Sequence, residues 1–264
     1  MRPKNRLLLH LVHIPCFIGH VMMSLKPVKP EEICKICEAA APLVGTVDFN
    51  RHGEPFRGPD LPDSGVRITY HRCSSCGYLF SCAFDDWSKA DFRANIYNRG
   101  YALLDPDSTL TRPGQLAERI ADAHGDKRAL TRILDYGAGL GMLAYMLSEM
   151  GFTDVSGCDP LYDDPCPARY FDLIVASEVA EYVPGPHEML TEITSRLASG
   201  GQIWLTVPPI PDTADLDWWR VAPRIGRIGL FTEKALDLWL DRHGLARLDH
   251  GSTFLHCLER IPTR

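Results

Sequence analysis

Arg132-Ile133-Leu134-Asp135-Tyr136-Gly137-Ala138-Gly139-Leu140-Gly141-Met142-Leu143 is the stretch whose reading decides the fold. A short apolar run ends in an acid, and three glycines follow at alternate positions. Met142, Leu143, Tyr145, Met146 and Met150 then recur at helical spacing. The stretch reads as strand, tight turn and helix. Glycine is required where the backbone takes positive φ or approaches a ligand with no Cβ in the way, and such a turn delivers the ligand to the helix N-terminus. The turn is therefore a nucleotide-type cradle or, at its plainest, a strand-to-helix turn that binds nothing. Met142 stands where the dinucleotide fingerprint puts its third glycine, which weakens a nicotinamide reading.

Working outward, Gly151 can cap the helix, and Val155-Ser156-Gly157-Cys158-Asp159 reads as a second strand ending in an acid. A carboxylate there can accept both hydroxyls of a ribose. Tyr170 to Ala176 forms a buried strand, followed by Ser177-Glu178-Val179-Ala180-Glu181-Tyr182-Val183. A helix from His187 to Ser199 should end at Gly200-Gly201 and give way to a strand from Gln202 to Val207.

In this order the elements resemble the class I S-adenosylmethionine (SAM) methyltransferases. Asp135-x-Gly137-x-Gly139-x-Gly141 resembles their first motif. The segment from Tyr170 to Val183 resembles their fourth strand and the acidic stretch after it, commonly Glu-Val-Leu-Glu-His-Val, with Tyr182 in place of the histidine. The resemblance implies an α/β, Rossmann-like sheet, with SAM held by Asp135, Gly137, Ala138, Gly139, Gly141, Asp159 and Ser177. SAM has no phosphate to neutralise, so the loop would pack against a sulfonium and an amino acid with Asp135 nearby. Glu178 and Tyr182 would face the methyl group and orient the acceptor or take its proton.

One departure matters. A typical member inserts a helix and a third strand between the ribose acid and the fourth strand, whereas only Pro160 to Tyr170 intervene here. A run this short, holding Pro160, Pro165 and Pro167, cannot supply both elements. The third-strand region is thus shortened, and Leu161, Tyr162, Asp163 or Asp164 must replace the adenine-side contacts. The shortening also opens an alternative reading: a catalytically weak or inactive methyltransferase-like binding module.

The second constellation is cysteine-rich. Cys34-Lys35-Ile36-Cys37 and Cys73-Ser74-Ser75-Cys76 form two Cys-x-x-Cys knuckles able to offer four thiolates to one structural zinc, although a redox dithiol or disulfides would use the same residues. Asn50 to Gly65 reads as a loop, Val66 to His71 as a strand, and Tyr78 to Phe80 as its return. Cys16, Cys158, Cys166 and Cys257 stand singly and read as ordinary thiols, Cys82 as a packed one. In the alternative module, the zinc unit would be a partner platform.

With 264 residues and 45% hydrophobic content, the chain can bury one full core plus a smaller unit. We expect a disordered N-terminal extension over 1–30, a small zinc-ribbon-like unit over 31–84, a helical linker or lid over 85–128, and the methyltransferase domain over 129–264. The extension faintly imitates a secretion signal, but His10, His13 and His20 interrupt its apolar run, and Met22 or Met23 would serve as an alternative start. That run is also short and imperfect for a membrane span, so a cytoplasmic protein is expected. In the linker, Trp87, Phe92, Ile96 and Tyr97 follow helical spacing; they either cover the cofactor mouth, with Tyr97 or Tyr101 reaching inward, or bind the zinc unit to the main domain. A net charge of −6 gives no general attraction to phosphate backbones, so the expected partner is a small-molecule acceptor rather than nucleic acid.

Residues 217–232 contain Trp218-Trp219 and Gly226-Arg227-Ile228. They resemble the acceptor-side insertion of methyltransferases related to ubiquinone-biosynthesis and deoxysugar C-methyltransferases, several of which carry an N-terminal cysteine zinc unit. That branch often holds a histidine where this chain has Arg227. An arginine keeps its charge and would instead hold an anionic acceptor group.

Overall fold

The computed structural model describes residues 26–53, 59–162, 165–248 and 254–261. Most of the expected N-terminal extension, with Cys16, and the Asp163-Asp164 pair lie outside these residues. The protein is mixed α/β, with a methyltransferase-like, largely parallel sheet and a small N-terminal unit bearing four clustered cysteines.

The N-terminal unit is built on an antiparallel sheet of β1 (Glu31–Ile33), β2 (Ala40–Asp48), β3 (Arg67–Arg72) and β4 (Leu79–Phe80). Along β3, Ile68 and Tyr70 are buried while Arg67 and Thr69 are exposed or half-buried, the pattern of a sheet covered on one face, which the buried His71 then interrupts. The linker supplies α1 (Lys89–Asn95), α2 (Tyr101–Leu104) and α3 (Thr111–Ala123). Ser88 starts α1 with a capping box, its hydroxyl accepting from Asp91 N while the Asp91 carboxylate accepts from Ser88 N at 2.8 Å.

The glycine stretch then forms β5 (Arg132–Tyr136) and α4 (Met142–Glu149), followed by β6 (Asp154–Cys158), β7 (Phe171–Ser177), α5 (Pro186–Ser195) and β8 (Leu197–Thr206). After a long connection come β9 (Gly229–Leu230), α6 (Glu233–Arg242), β10 (Leu245–Leu248) and β11 (Leu255–Arg260). The large sheet runs β10-β11-β8-β7-β5-β6, parallel from β8 to β6, with β11 antiparallel to β8. Leu173, Ile174, Val175 and Ala176 of β7 are fully buried, as a central parallel strand requires. Strand order reverses between β5 and β7, and the crevice beyond their C-terminal ends is where such sheets bind ligands. Among the described residues no strand lies between β6 and β7, so β6 stands at the edge of the sheet they form and the third-strand region is shortened. No described helix is long and apolar enough to cross a membrane.

Two expectations are corrected here. The helix read as ending at Gly200-Gly201 stops at Ser195, and those glycines lie inside β8. The register against β7 slips between Phe171 and Leu173, and a Cβ on Gly201 would lie 3.0 Å from the carbonyl oxygens of Phe171 and Asp172. The glycines therefore serve a bulge rather than a helix cap. The reading of Cys158 and Cys166 as unpaired thiols is also overturned. They form a disulfide, because the short proline-rich connection returns the chain to a Cα separation of 5.0 Å.

The N-terminal sheet has a fifth strand that belongs to the other end of the sequence. β9 pairs antiparallel with β4, Leu79 opposite Leu230 and Phe80 opposite Gly229. Gly229 is obligatory at that contact, since a Cβ would fall 2.0 Å from the Tyr78 hydroxyl oxygen.

Candidate active site

The glycine loop lies at the C-terminal ends of β5 and β7 and lines a cavity of about 450 Å³. Gly137, Gly139 and Gly141 all take positive φ, at 80°, 53° and 74°. Their roles differ. A Cβ on Gly137 would meet Val179 Cγ2 at 2.4 Å, so that glycine permits packing against the segment after β7. A Cβ on Gly139 would meet nothing within 4 Å. Gly141 is the left-handed cap of α4 and does not line the cavity, whereas Ala138, Asp135, Asp159 and Ser177 do.

Four of the loop's backbone donors are engaged internally. Gly137 N and Ala138 N both donate to Cys158 O, Gly139 N donates to Asp159 Oδ2 at 3.1 Å, and Gly141 N donates to Ala138 O. A loop that cradles phosphate leaves such amides free to face it. Here the cavity meets two carboxylates instead. Asp135 is 4% exposed, and its Oδ2 is buried without a hydrogen-bond partner. Burial, reinforced by the nearby charge of Asp159, raises the Asp135 pKa to about 7. A cation brought into the cavity would relieve both penalties, so the residues present fit the sulfonium and ammonium of SAM better than a phosphate.

Asp159 also organises the shortened connection, its Oδ1 accepting from Leu161 N at 2.8 Å. Leu161 and Tyr162 line the cavity on the side left bare by the missing strand. α1 supports them from behind: Arg93 Nη1 donates to Leu161 O at 2.9 Å and Lys89 Nζ to Tyr162 O at 3.2 Å. With the Cys158–Cys166 bridge, these contacts anchor both ends of the connection that follows β6. The linker aromatics divide between the two tasks considered for them. Trp87 and Phe92 pack with Phe49 and Phe84 against the N-terminal unit, whereas Tyr97 and Tyr101 line the cavity.

Glu178, Tyr182 and Arg227 come together, as a cluster closed by two hydrogen bonds and an ion pair. Tyr182 Oη donates to Glu178 Oε2 at 3.2 Å and receives Arg227 Nε at 3.1 Å, and Arg227 Nη2 lies 3.7 Å from Glu178 Oε2. Glu178 itself has φ 51°, an uncommon value for a residue with a side chain. Sequence reading missed the other members. Arg112 Nη1 lies 3.2 Å from Glu178 and its Nη2 meets Asp105, and Arg220 Nη2 donates to both oxygens of the fully buried Glu181. Burial pushes the Glu178 pKa up, but Arg112, Arg227 and Arg220 outweigh it, and the carboxylate is held below its usual range. Burial keeps the Tyr182 hydroxyl protonated. Arg227 is only 3% exposed and already paired, so its guanidinium differs from the free anion holder expected from the sequence. The cue for Arg112 was its place at the start of α3, directly facing the β7 end; for Arg220, the Trp-rich stretch.

The four cysteines converge, with every Sγ of Cys34, Cys37, Cys73 and Cys76 within 4.8 Å of the others. Cys34 Sγ lies 3.6 Å from Cys76 Sγ, and Cys37 Sγ 3.4 Å from Cys73 Sγ. Zinc–sulfur bonds of about 2.3 Å set tetrahedral edges near about 3.8 Å, so the donor set fits zinc. The knuckles share one backbone design. Cys34 N donates to Ala39 O and Glu38 N to Cys34 O; Cys73 N donates to Tyr78 O and Gly77 N to Cys73 O. The second knuckle docks on α6, whose N-cap Thr232 donates to Cys76 O at 2.5 Å while accepting from Ala235 N.

A family model described as a methyltransferase domain matches residues 109–250, more than half of the chain, and the protein belongs to that family. No curated protein matches the sequence. Among solved structures, the chain is similar to Streptomyces venezuelae DesVI, at 16% identity over 56% of this chain and 92% of that one, with a TM-score of 0.43. It is also similar to an O-methyltransferase family protein from Burkholderia thailandensis, at 11% identity over 66% of this chain and 63% of that one, TM-score 0.47. A third similar structure is the magnesium protoporphyrin IX methyltransferase ChlM from Synechocystis PCC 6803 with bound SAM, at 15% identity over 66% and 91% of the respective chains, TM-score 0.42.

Proposed function

We propose that this protein transfers a methyl group from SAM to a small-molecule acceptor, in a branch alongside the deoxysugar C-methyltransferases, and that a structural zinc closes its N-terminal unit. The observation that carries the cofactor assignment is the polarity of the glycine loop: the amides of Gly137, Ala138, Gly139 and Gly141 are internally bonded while Asp135 keeps a buried, unpartnered carboxylate oxygen beside them. SAM, when bound, supplies a methyl group activated by a sulfonium charge. Asp135 would balance cationic charge and Asp159 would accept the ribose hydroxyls. Gly139 would let the cofactor approach the backbone, and Ala138 and Ser177 would complete the walls.

Methyl transfer is an in-line displacement, so the protein's main tasks are to align the two partners and to exclude water. Tyr97 and Tyr101 would cover the mouth. Glu178 is held as a carboxylate by two arginines, which suits it to orient an acceptor and makes it a weak base. Tyr182 would donate toward the acceptor once its bond to Glu178 is exchanged, and Arg227 would fix the position of both. The test is calorimetric titration of zinc-loaded protein with SAM and S-adenosylhomocysteine, followed by label transfer from methyl-labelled SAM to candidate acceptors. Saturable binding of both is the expected result; no binding at millimolar SAM would overturn the proposal.

A further inference from the structure

The charged side chains lining the first cavity are Arg99, Arg112, Asp135, Asp159 and Glu178, and they differ in what already holds them. Arg112 is ion-paired with Glu178 at 3.2 Å and is also tied to Asp105. It further lines a second cavity of about 110 Å³, together with His52 and Arg220, so its guanidinium is committed within the wall. Asp159 accepts the amides of Gly139 and Leu161. Two groups are left over. Asp135 Oδ2 is buried without a partner, and Arg99 is exposed and makes no hydrogen bond or ion pair among the described residues. One cavity thus offers a buried acid and an exposed cation, both uncommitted.

Arg99 sits on the turn between α1 and α2, and that turn is braced. Asn98 Nδ2 donates to Ala94 O at 3.0 Å, and Asn98 Oδ1 accepts from Gly100 N at 3.0 Å. Tyr97 and Tyr101 pack on each other beside it, ring centres 5.2 Å apart, and both line the cavity. A braced turn loses less freedom on binding than a loose one.

Water alone satisfies an exposed arginine, so exposure assigns nothing. The assignment comes from the charges that the proposed cofactor brings. SAM ends in an amino acid, with an ammonium and a carboxylate on one carbon. That carboxylate is repelled by Asp135, Asp159 and Glu178. Arg112 could receive it only by giving up a buried ion pair. Four amides of the glycine loop already have acceptors. Among the described arginines lining the cavity, Arg99 is the one without a carboxylate partner.

We infer that Arg99 binds the carboxylate of the cofactor's amino-acid end, while Asp135 balances its cationic charge. The inference rests on the methyl-transfer reading. It makes the linker a part of the cofactor site, tied to the ligand by charge as well as by the tyrosines beside it.

Calorimetric titration of full-length, zinc-loaded protein and of its Arg99→Gln variant tests this, with SAM, decarboxylated SAM and methylthioadenosine as ligands. Arg99 is exposed and unbonded, so the substitution should leave the fold intact. SAM should bind the variant about tenfold more weakly, and the loss should shrink as salt is raised. Decarboxylated SAM and methylthioadenosine, which lack the carboxylate, should bind both proteins alike. SAM affinity unmoved by Arg99→Gln, or an equal loss for all three ligands, would overturn the inference alone. Wild-type protein that binds none of the three at millimolar concentration would instead overturn the methyl-transfer reading, and the inference with it.

Discussion

The cysteine knuckles and the glycine loop both bend the chain through positive φ, at Glu38 and Gly77 in the first case and at Gly137, Gly139 and Gly141 in the second. In the knuckles the turn folds four sulfurs toward one point, and the surrounding amides donate to them or to knuckle carbonyls: Ile36 N to Cys34 Sγ, Ser75 N and Cys76 N to Cys73 Sγ. In the loop the amides of Gly137, Ala138, Gly139 and Gly141 are equally engaged, but Asp135 Oδ2 beside it is not, and an open cavity lies over Gly139. On the proposed function, one turn would be complete once it has its ion, and the other would be finished only by a ligand that comes and goes. That difference would separate a part that holds structure from a part that does chemistry.

The largest expected effect breaks the closed side. Zinc bound at a structural site contributes on the order of 10 kcal/mol, so chelation or Cys73→Ser should unfold the N-terminal unit, seen as a new low-temperature transition by circular dichroism. Because β9 is shared, S-adenosylhomocysteine binding should survive better than any acceptor binding. On the open side, Asp159→Ala removes the acceptor of the Gly139 and Leu161 amides together with the proposed ribose partner, and calorimetry should show S-adenosylhomocysteine bound on the order of 100-fold more weakly. Smaller again is the contrast between two glycines of one loop. Gly137→Ala forces a Cβ against Val179 and should cost about 3 kcal/mol in urea unfolding, whereas Gly139→Ala bears only the backbone penalty of about 1 kcal/mol.

A separate effect is the dependence on pH of Asp135. An acid that holds its proton more tightly folded than unfolded takes up protons on folding. Its contribution is therefore greatest below the unfolded pKa of about 4 and is lost as the pH rises toward the folded value. With that value at about 7, the stability of the ligand-free protein should decline across this window, and Asp135→Asn should lack the slope. Affinity for cationic SAM should run the other way, rising until Asp135 is ionised and then levelling.

Local chemistry made the knuckles and the glycine loop legible in the sequence. Each is set by residues within a dozen positions, and the missing third strand was visible as a simple shortage of chain. What the sequence did not disclose depends on distant pairing. β2 carries a run of small and apolar residues with no clean alternation, and β9 is two residues long; both are strands because of their neighbours in the sheet. Arg112, Arg220 and His52 carry no motif, and only the packing of linker, N-terminal unit and main domain brings them to one cavity. The disulfide escaped because connectivity follows from Cα positions, which spacing alone does not give.

The pairing of β4 with β9 has a consequence for how the chain is made. The cysteine unit is synthesised early, yet its sheet gains its last strand only when Gly229 and Leu230 emerge, after nearly the whole α/β domain has been built. Until then the edge of β4 stands open, a template for unwanted pairing during the seconds of translation. A part that leaves the ribosome early is thus among the last to be finished, and an early-bound zinc ion would hold the knuckles in register while the unit waits for its final strand.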